Sequence, residues 1–275
     1  MPKLSEALPS LALVLNQAAS LQHVTAPARV TWRELRDQAA ALVPLLSAPR
    51  PGVPGLCAVC HGPAGRRTAR CYQCDLHSQC APGLLADVVL PVAFAVKGGP
   101  HARDLWQYKS ARPRDAQAST AAARRLRALL LVFLRDHGPC AWLAAGRPGP
   151  THLAVVPTGR GRADTHPLRA LVAPYLGCRW AELCPRPGVH PVRDLDPARF
   201  AAAQVPGARV LLLDDTWTTG CTAQSAALAL RRSGAASVAI VVLGRHVSAG
   251  GIAGRPAMPF LAEGCAVHPD LPGGG

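Results

Sequence analysis

Residues 210–222, Val-Leu-Leu-Leu-Asp-Asp-Thr-Trp-Thr-Thr-Gly-Cys-Thr, constrain this chain more than any other stretch. Four apolar residues run into two adjacent carboxylates and then a hydroxyl-rich loop with one glycine. Ala-Gln-Ser-Ala-Ala-Leu-Ala-Leu-Arg-Arg follows, with helical composition. The apolar run fits a buried parallel strand, and the change of composition fits a strand–loop–helix unit. Such a loop lies at the carboxyl end of its strand, where open α/β sheets bind ligands. It also feeds a helix N-terminus, whose unpaired N–H groups and dipole attract anions. Thr218, Thr219 and Thr222 add hydroxyl donors, Cys221 lies among them, and Gly220 lets the backbone close around a phosphate. Asp214 and Asp215 would repel a phosphate. They suit the hydroxyls of a sugar, or a metal ion bridging to a more distant diphosphate. Together these parts describe a site for a sugar phosphate. The alternative is a βα turn whose threonines only cap the helix.

With 275 residues and 49% apolar content, the chain can build one α/β domain plus a small module. No apolar run reaches the length of a membrane span. The first residues lack a basic region followed by an apolar stretch and a cleavage site, so the expected address is the cytoplasm. The net charge is +14, yet Lys3, Lys97 and Lys109 are the only lysines among the 30 basic residues. An arginine excess of that kind follows from a GC-rich genome, or from attraction to polyanions up to nucleic acid. Arg66, Arg67 and Arg70 cluster, as do Arg124, Arg125 and Arg127 on one predicted helix.

The ten cysteines of a chain with that address read as metal ligands before disulfides. Cys57-Ala-Val-Cys60 and Cys71-Tyr-Gln-Cys74 form two Cys-x2-Cys pairs. Two such pairs complete a tetrahedral four-sulfur site of the zinc-ribbon type, with the segment between them as the ribbon tip. His61, His77 and Cys80 are substitute ligands, but the spacing favours the four cysteines. The small, closed ligand set makes the zinc structural. Cys140, Cys178, Cys184, Cys221 and Cys265 show no such spacing.

Four regions follow along the chain: a helical N-terminal extension (1–50), the cysteine module (51–83), an α/β domain (84–250) and an irregular tail (251–275). Leu4–Gln22 and Thr31–Leu46 are predicted helices, the second capped by Thr31 ahead of Glu34. Asp87–Val96, His152–Val156, Val210–Leu213 and Ser237–Leu243 are predicted strands. Ala116–His137 is a predicted helix whose buried face holds Ala118, Ala122, Leu126, Leu129, Leu130 and Phe133. Ala170–Tyr175 is part of another helix. Alternation of strands and helices favours a parallel sheet.

The 210–222 stretch resembles the phosphoribosyl pyrophosphate (PRPP) motif of type I phosphoribosyltransferases, with Thr216 polar where an aliphatic residue is usual. The order of cysteine pairs, Arg103-Asp104-Leu105-Trp106-Gln107-Tyr108-Lys109 and this motif resembles the ComF-like, competence-associated branch over residues 55–247. The resemblance implies a phosphoribosyltransferase-like parallel sheet flanked by helices, PRPP bound with Mg²⁺, and Asp214 and Asp215 in the catalytic position. It also implies the alternative of a non-catalytic PRPP or nucleotide sensor engaging single-stranded DNA or a DNA-uptake protein. The family's Arg-Gly-Phe-Asn-like stretch after the strand ending at Val156-Pro157 is missing.

Thr158-Gly159-Arg160-Gly161-Arg162 still suits a diphosphate, with two glycines for backbone approach and two guanidinium donors. The other reading is an exposed loop without a ligand. Gly159-x-Gly161-x-x-Asp164 departs from a dinucleotide fingerprint in its third position. Lys109 either reaches the phosphates or is an ordinary solvated lysine before a helix.

Overall fold

The computed structural model describes residues 30–49, 54–65, 67–110, 112–147, 149–157, 166–188, 194–252 and 257–259. The predicted helix Leu4–Gln22, the loop Thr158–Arg162 and Cys265 lie outside these residues, as does the tail beyond 259.

The α/β domain is built on strands β2 (Val88–Val96), β3 (His152–Val155), β4 (Arg179–Trp180), β7 (Arg209–Trp217) and β8 (Ser237–Val247). They form one parallel sheet in the order β2-β8-β7-β3-β4. The predicted parallel sheet is therefore present. Strand β2 carries Pro91, which has no N–H to donate; the residue is tolerated because β2 is an edge strand, hydrogen-bonded only to β8. Four short strands lie outside the sheet. Ser47–Pro49 (β1) pairs antiparallel with Ala257–Pro259 (β9), and Leu183–Pro185 (β5) with Phe200–Ala202 (β6). The tail is thus not wholly irregular, since β9 and a short helix, Ala249–Ile252, occupy its start.

Helix α1 (Trp32–Ala40) begins as predicted. Thr31 accepts from the Glu34 N–H, and the Glu34 carboxylate accepts from the Thr31 N–H and hydroxyl. It stops well short of Leu46, where Pro44 enters a 3-10 turn over Val43–Leu45. The cysteine module contributes α2 (Tyr72–Cys80), and the segment after β2 forms α3 (Pro100–Gln107). Helix α4 (Ala116–Ala144) outruns its predicted end at His137 and carries Pro139 within it. Ala122, Leu126, Leu129, Leu130 and Phe133 are buried as expected, but Ala118 is exposed because the first turn projects beyond the core. Leu131, Val132 and Leu134 are buried too, since α1 packs on the outer side and stacks Trp32 against Arg135 at 4.8 Å. Pro167–Val172 is α5, and Cys221–Arg232 is α6.

The sheet separates two apolar cores. Leu211, Leu213 and Leu243 face the side covered by α4, while Val210, Leu212 and Val242 face the side covered by α6. Strand alternation produces this division. The arginines of α4 serve packing in part: Arg125 forks onto Asp104, and Arg127 lies 5.7 Å from the Tyr175 ring. Among the described residues no helix is long and apolar enough to cross a membrane.

Candidate functional site

Strand β7 does not end at Leu213. It runs on through Trp217, in register with β8 through the pairs Asp214–Val242, Thr216–Gly244 and Trp217–Arg245. The two carboxylates therefore sit on the strand, where alternation sends them to opposite faces. Asp214 shares its face with Leu212 and α6, the helix into which the following loop feeds. Asp215 shares its face with Leu213 and the α3–α4 connection.

Asp215 is buried, with two partners on one carboxylate oxygen. Its Oδ2 accepts from the Tyr108 hydroxyl at 2.5 Å and lies 2.6 Å from Lys109 Nζ. Lys109 is thus no ordinary solvated lysine: a carboxylate on the sheet holds its ammonium at the site. The Tyr108 hydroxyl is pushed well above its ordinary range, by burial first and then by the neighbouring Asp215 charge. Asp214 is half-buried, and its Oδ1 accepts from the Asp215 N–H at 2.8 Å. Its carboxyl is pushed up to about 7, chiefly by burial and then by the charge of Asp215, with Lys109 opposing. His166, at the start of α5, stands close enough to feel both Asp215 and Lys109. Its Nδ1 accepts from the Leu168 N–H at 3.2 Å, and burial holds its imidazolium form down.

Beyond Trp217 the chain turns through Thr218 and Thr219 to Gly220, which begins α6 in the left-handed conformation at φ 85°. No side chain caps this helix, so the reading of the threonines as mere caps does not hold. The first-turn N–H groups open toward the loop instead. Trp217 forms the floor. It is buried, and a methyl group at Gly220 would stand 2.1 Å from its indole. Thr219 donates to the Cys221 sulfur at 3.1 Å, while Thr218 is exposed. The predicted loop residues Asp214, Thr218, Thr219, Gly220, Cys221 and Thr222 thus lie along one strand end and helix start, with Asp215 and Lys109 beside them. Thr158, Gly159 and Arg160 fall outside the described residues.

Cys57, Cys60, Cys71 and Cys74 come together with all four sulfurs within 4.8 Å of one another. The Cys60 and Cys71 sulfurs are 3.8 Å apart. Four thiolates about 2.3 Å from one zinc ion at tetrahedral angles stand about 3.8 Å from each other, so the cluster fits that ion. The first pair lies in a tight knuckle. Cys57 N–H donates to Gly62 O, His61 N–H donates to Cys57 O, and the Val59 N–H points at the Cys57 sulfur at 3.4 Å. The second pair opens α2, with Cys71 as its first flanking residue. A helix therefore stands where a ribbon would place a second hairpin. Cys57 is held well below the ordinary thiol range by hydrogen bonds from Cys60, Cys71 and Cys74. Cys74 is pushed far up by Cys57, then by Cys60 and Cys71. His77 is buried beside the cluster but is not among the four ligands.

The sequence reading missed Tyr108, His166 and Arg245. Tyr108 lay within a segment already singled out, and its neighbour Lys109 was the only clue. Arg245 is buried on β8 and donates through Nη1 to the carbonyls of Trp217, Thr218 and His246.

No protein-family model matches the chain, and no curated protein matches it. Among solved structures it is similar to the crystal structure of phosphoribosylpyrophosphate synthetase from Mycobacterium smegmatis, at 22% identity and a TM-score of 0.24. The likeness covers 58% of this chain and 53% of that one, so the chain spans about half the length of the synthetase. A likeness of this extent carries no weight for fold or activity.

Proposed function

We propose that the end of β7 and the start of α6 bind a ribose 5-phosphate bearing a diphosphate, namely PRPP with Mg²⁺, in a phosphoribosyltransferase-like domain of the ComF-like branch. The observation that carries this reading is the uncapped start of α6, closed by Gly220 over Trp217, on the same sheet face as Asp214. The 5-phosphate takes the N–H groups of the helix start and the hydroxyls of Thr218, Thr219 and Thr222. Asp214 accepts from the ribose hydroxyls, which favour its anion against the burial that raises it. Asp215 faces the other way and acts through Lys109, presenting the ammonium toward the diphosphate. From the sequence alone, Thr158, Gly159 and Arg160 are assigned to the diphosphate.

In transfer, the bond from the anomeric carbon to the diphosphate oxygen breaks, and pyrophosphate leaves with the electron pair. The acceptor's lone pair forms the new bond. Positive charge gathers on the ribose ring between these events, and the Asp214 carboxylate stabilises it electrostatically. Mg²⁺ bound with PRPP would supply positive charge against that of the pyrophosphate. The cysteine cluster holds a structural zinc ion, and Cys57, Cys60, Cys71 and Cys74 are its ligands.

Calorimetry with PRPP and Mg²⁺ tests the reading. Wild type binds, and Asp214→Asn binds at least about tenfold more weakly, the loss of one charged hydrogen-bond acceptor. Absence of binding by folded, zinc-loaded wild type overturns it. Binding without pyrophosphate release across a panel of bases and amines assigns the site to sensing rather than transfer.

A further inference from the structure

Arg245 joins two parts of the molecule that are far apart in sequence. Its strand position is opposite Trp217, and one guanidinium nitrogen, Nη1, donates to Trp217 O at 3.1 Å, Thr218 O at 2.9 Å and His246 O at 2.7 Å. Trp217 and Thr218 are the residues from which the ligand loop departs. The rest of the guanidinium turns away from that loop and presses on Gly62, inside the knuckle that carries Cys57 and Cys60. A methyl group at Gly62 would lie 2.2 Å from Nη2 and 2.5 Å from Nε of Arg245. The Nε is buried with no hydrogen-bond partner among the described residues. A buried guanidinium with an unpartnered edge is costly unless an opposite charge faces it.

The cysteine cluster supplies that charge. A zinc dication held by four thiolates carries a net charge of about −2. Gly62 stands two residues after Cys60, and the absence of a side chain there is what lets the guanidinium approach.

We propose that Arg245 is a positioning residue that couples the metal centre to the ligand loop: the metal-loaded cysteine module fixes the guanidinium, and the guanidinium fixes the carbonyls of Trp217 and Thr218. The nature of the ligand rests on the PRPP reading above, but the coupling does not. The metal is then a distant determinant of ligand affinity although it touches no ligand. Coupling of this kind is reciprocal, so a ligand in the loop strengthens zinc retention by the same factor.

Hydrogen exchange and calorimetry on the full chain separate the possibilities. In wild type, chelation of zinc raises exchange at the amides of 218–222. Arg245→Met gives the same rise while keeping about one zinc per chain. Gly62→Ala, which leaves every ligand in place, displaces the guanidinium from the module side and loosens the loop likewise. Arg245→Lys restores part of the protection, since an ammonium can reach the two loop carbonyls but not span to Gly62. PRPP with Mg²⁺ strengthens wild-type zinc retention against a zinc-selective chelator, and this effect vanishes in Arg245→Met. PRPP affinity in zinc-loaded Gly62→Ala falls about tenfold, the scale of one lost charged hydrogen bond. Loop exchange that is unchanged both by zinc removal and by Arg245→Met overturns the coupling. If wild type binds no PRPP, the proposed ligand fails, while the exchange data still decide the coupling.

Discussion

Lys109 Nζ stands 2.6 Å from Asp215 Oδ2, joining the connection after α3 to the end of a strand more than a hundred residues away. The pair holds a cation beside the end of β7. Replacing it by Lys109→Met is expected to weaken PRPP binding by about tenfold, as for loss of one charge-assisted contact. Calorimetry against wild type checks this, and an unchanged affinity would remove Lys109 from the diphosphate side.

Tyr108 holds the same carboxylate through its hydroxyl, and both groups are buried. In Tyr108→Phe the carboxylate keeps only Lys109, and one acceptor position loses its donor inside the protein. The expected cost is about 1–3 kcal/mol of folding stability, read from urea unfolding. A variant as stable as wild type would mean that the hydroxyl bond has no net value.

Gly220 combines a left-handed backbone with indole contact, and an alanine there meets both obstacles. Gly220→Ala is expected to lower stability by about 2–4 kcal/mol and to abolish binding in the loop. Adding Trp217→Leu removes the clash but not the backbone strain, so the double variant recovers only part of the loss. Full recovery in thermal melts would show that φ at this position is unimportant.

Local rules were enough for the elements whose partners are close in sequence. The Thr31–Glu34 box, the apolar run of β7 and the main face of α4 are set within a turn or two. Extents were harder to read. Strands β7 and β8 continue through Asp214, Asp215, Arg245 and His246, polar residues that look like loop, because parallel pairing satisfies their backbones. Helix α4 is buried beyond one face because α1 covers it, which no periodicity within α4 announces. The engagements of Asp215 and Arg245 lie over longer distances still. Adjacent carboxylates read as one pair, and only the alternation of the extended strand divides their partners between two faces.

Acidity should separate two opposing effects. The Asp214 carboxyl lies at about 7 in the fold against an ordinary 3.8. The folded state therefore keeps a proton that the unfolded chain has already lost, and stability falls as pH rises through that interval and levels above it. Asp214→Asn lacks this penalty, so its melting temperature should gain on wild type between about pH 4 and about pH 7, then stay ahead by a constant margin. His77, His101 and His166 have the opposite sign. Burial lowers all three from an ordinary 6.5, so their contribution is full above that value and is lost as pH falls below it. Both proteins share the histidines, and the difference between their melting curves isolates Asp214. A difference independent of pH would contradict the raised carboxyl.

Metal analysis of freshly purified reduced protein is expected to give about one zinc per chain, lost in Cys57→Ser. The four sulfurs draw the knuckle and the start of α2 together, so the variant should also become more sensitive to proteolysis between 56 and 80. Full zinc content in Cys57→Ser would show that another residue supplies the fourth ligand.

The pairing of β2 with β8 has a consequence for how the molecule is made. The cysteine module and β2 leave the ribosome early, whereas β8 and Arg245 arrive only after nearly the whole α/β domain has been synthesised. Until then β2 has no strand to join and the knuckle has no guanidinium beside it. The four thiols, however, are already complete and can take up metal. The four cysteines are thus in place before the strand that docks them, and the last strand of the sheet fastens their module to the rest of the protein.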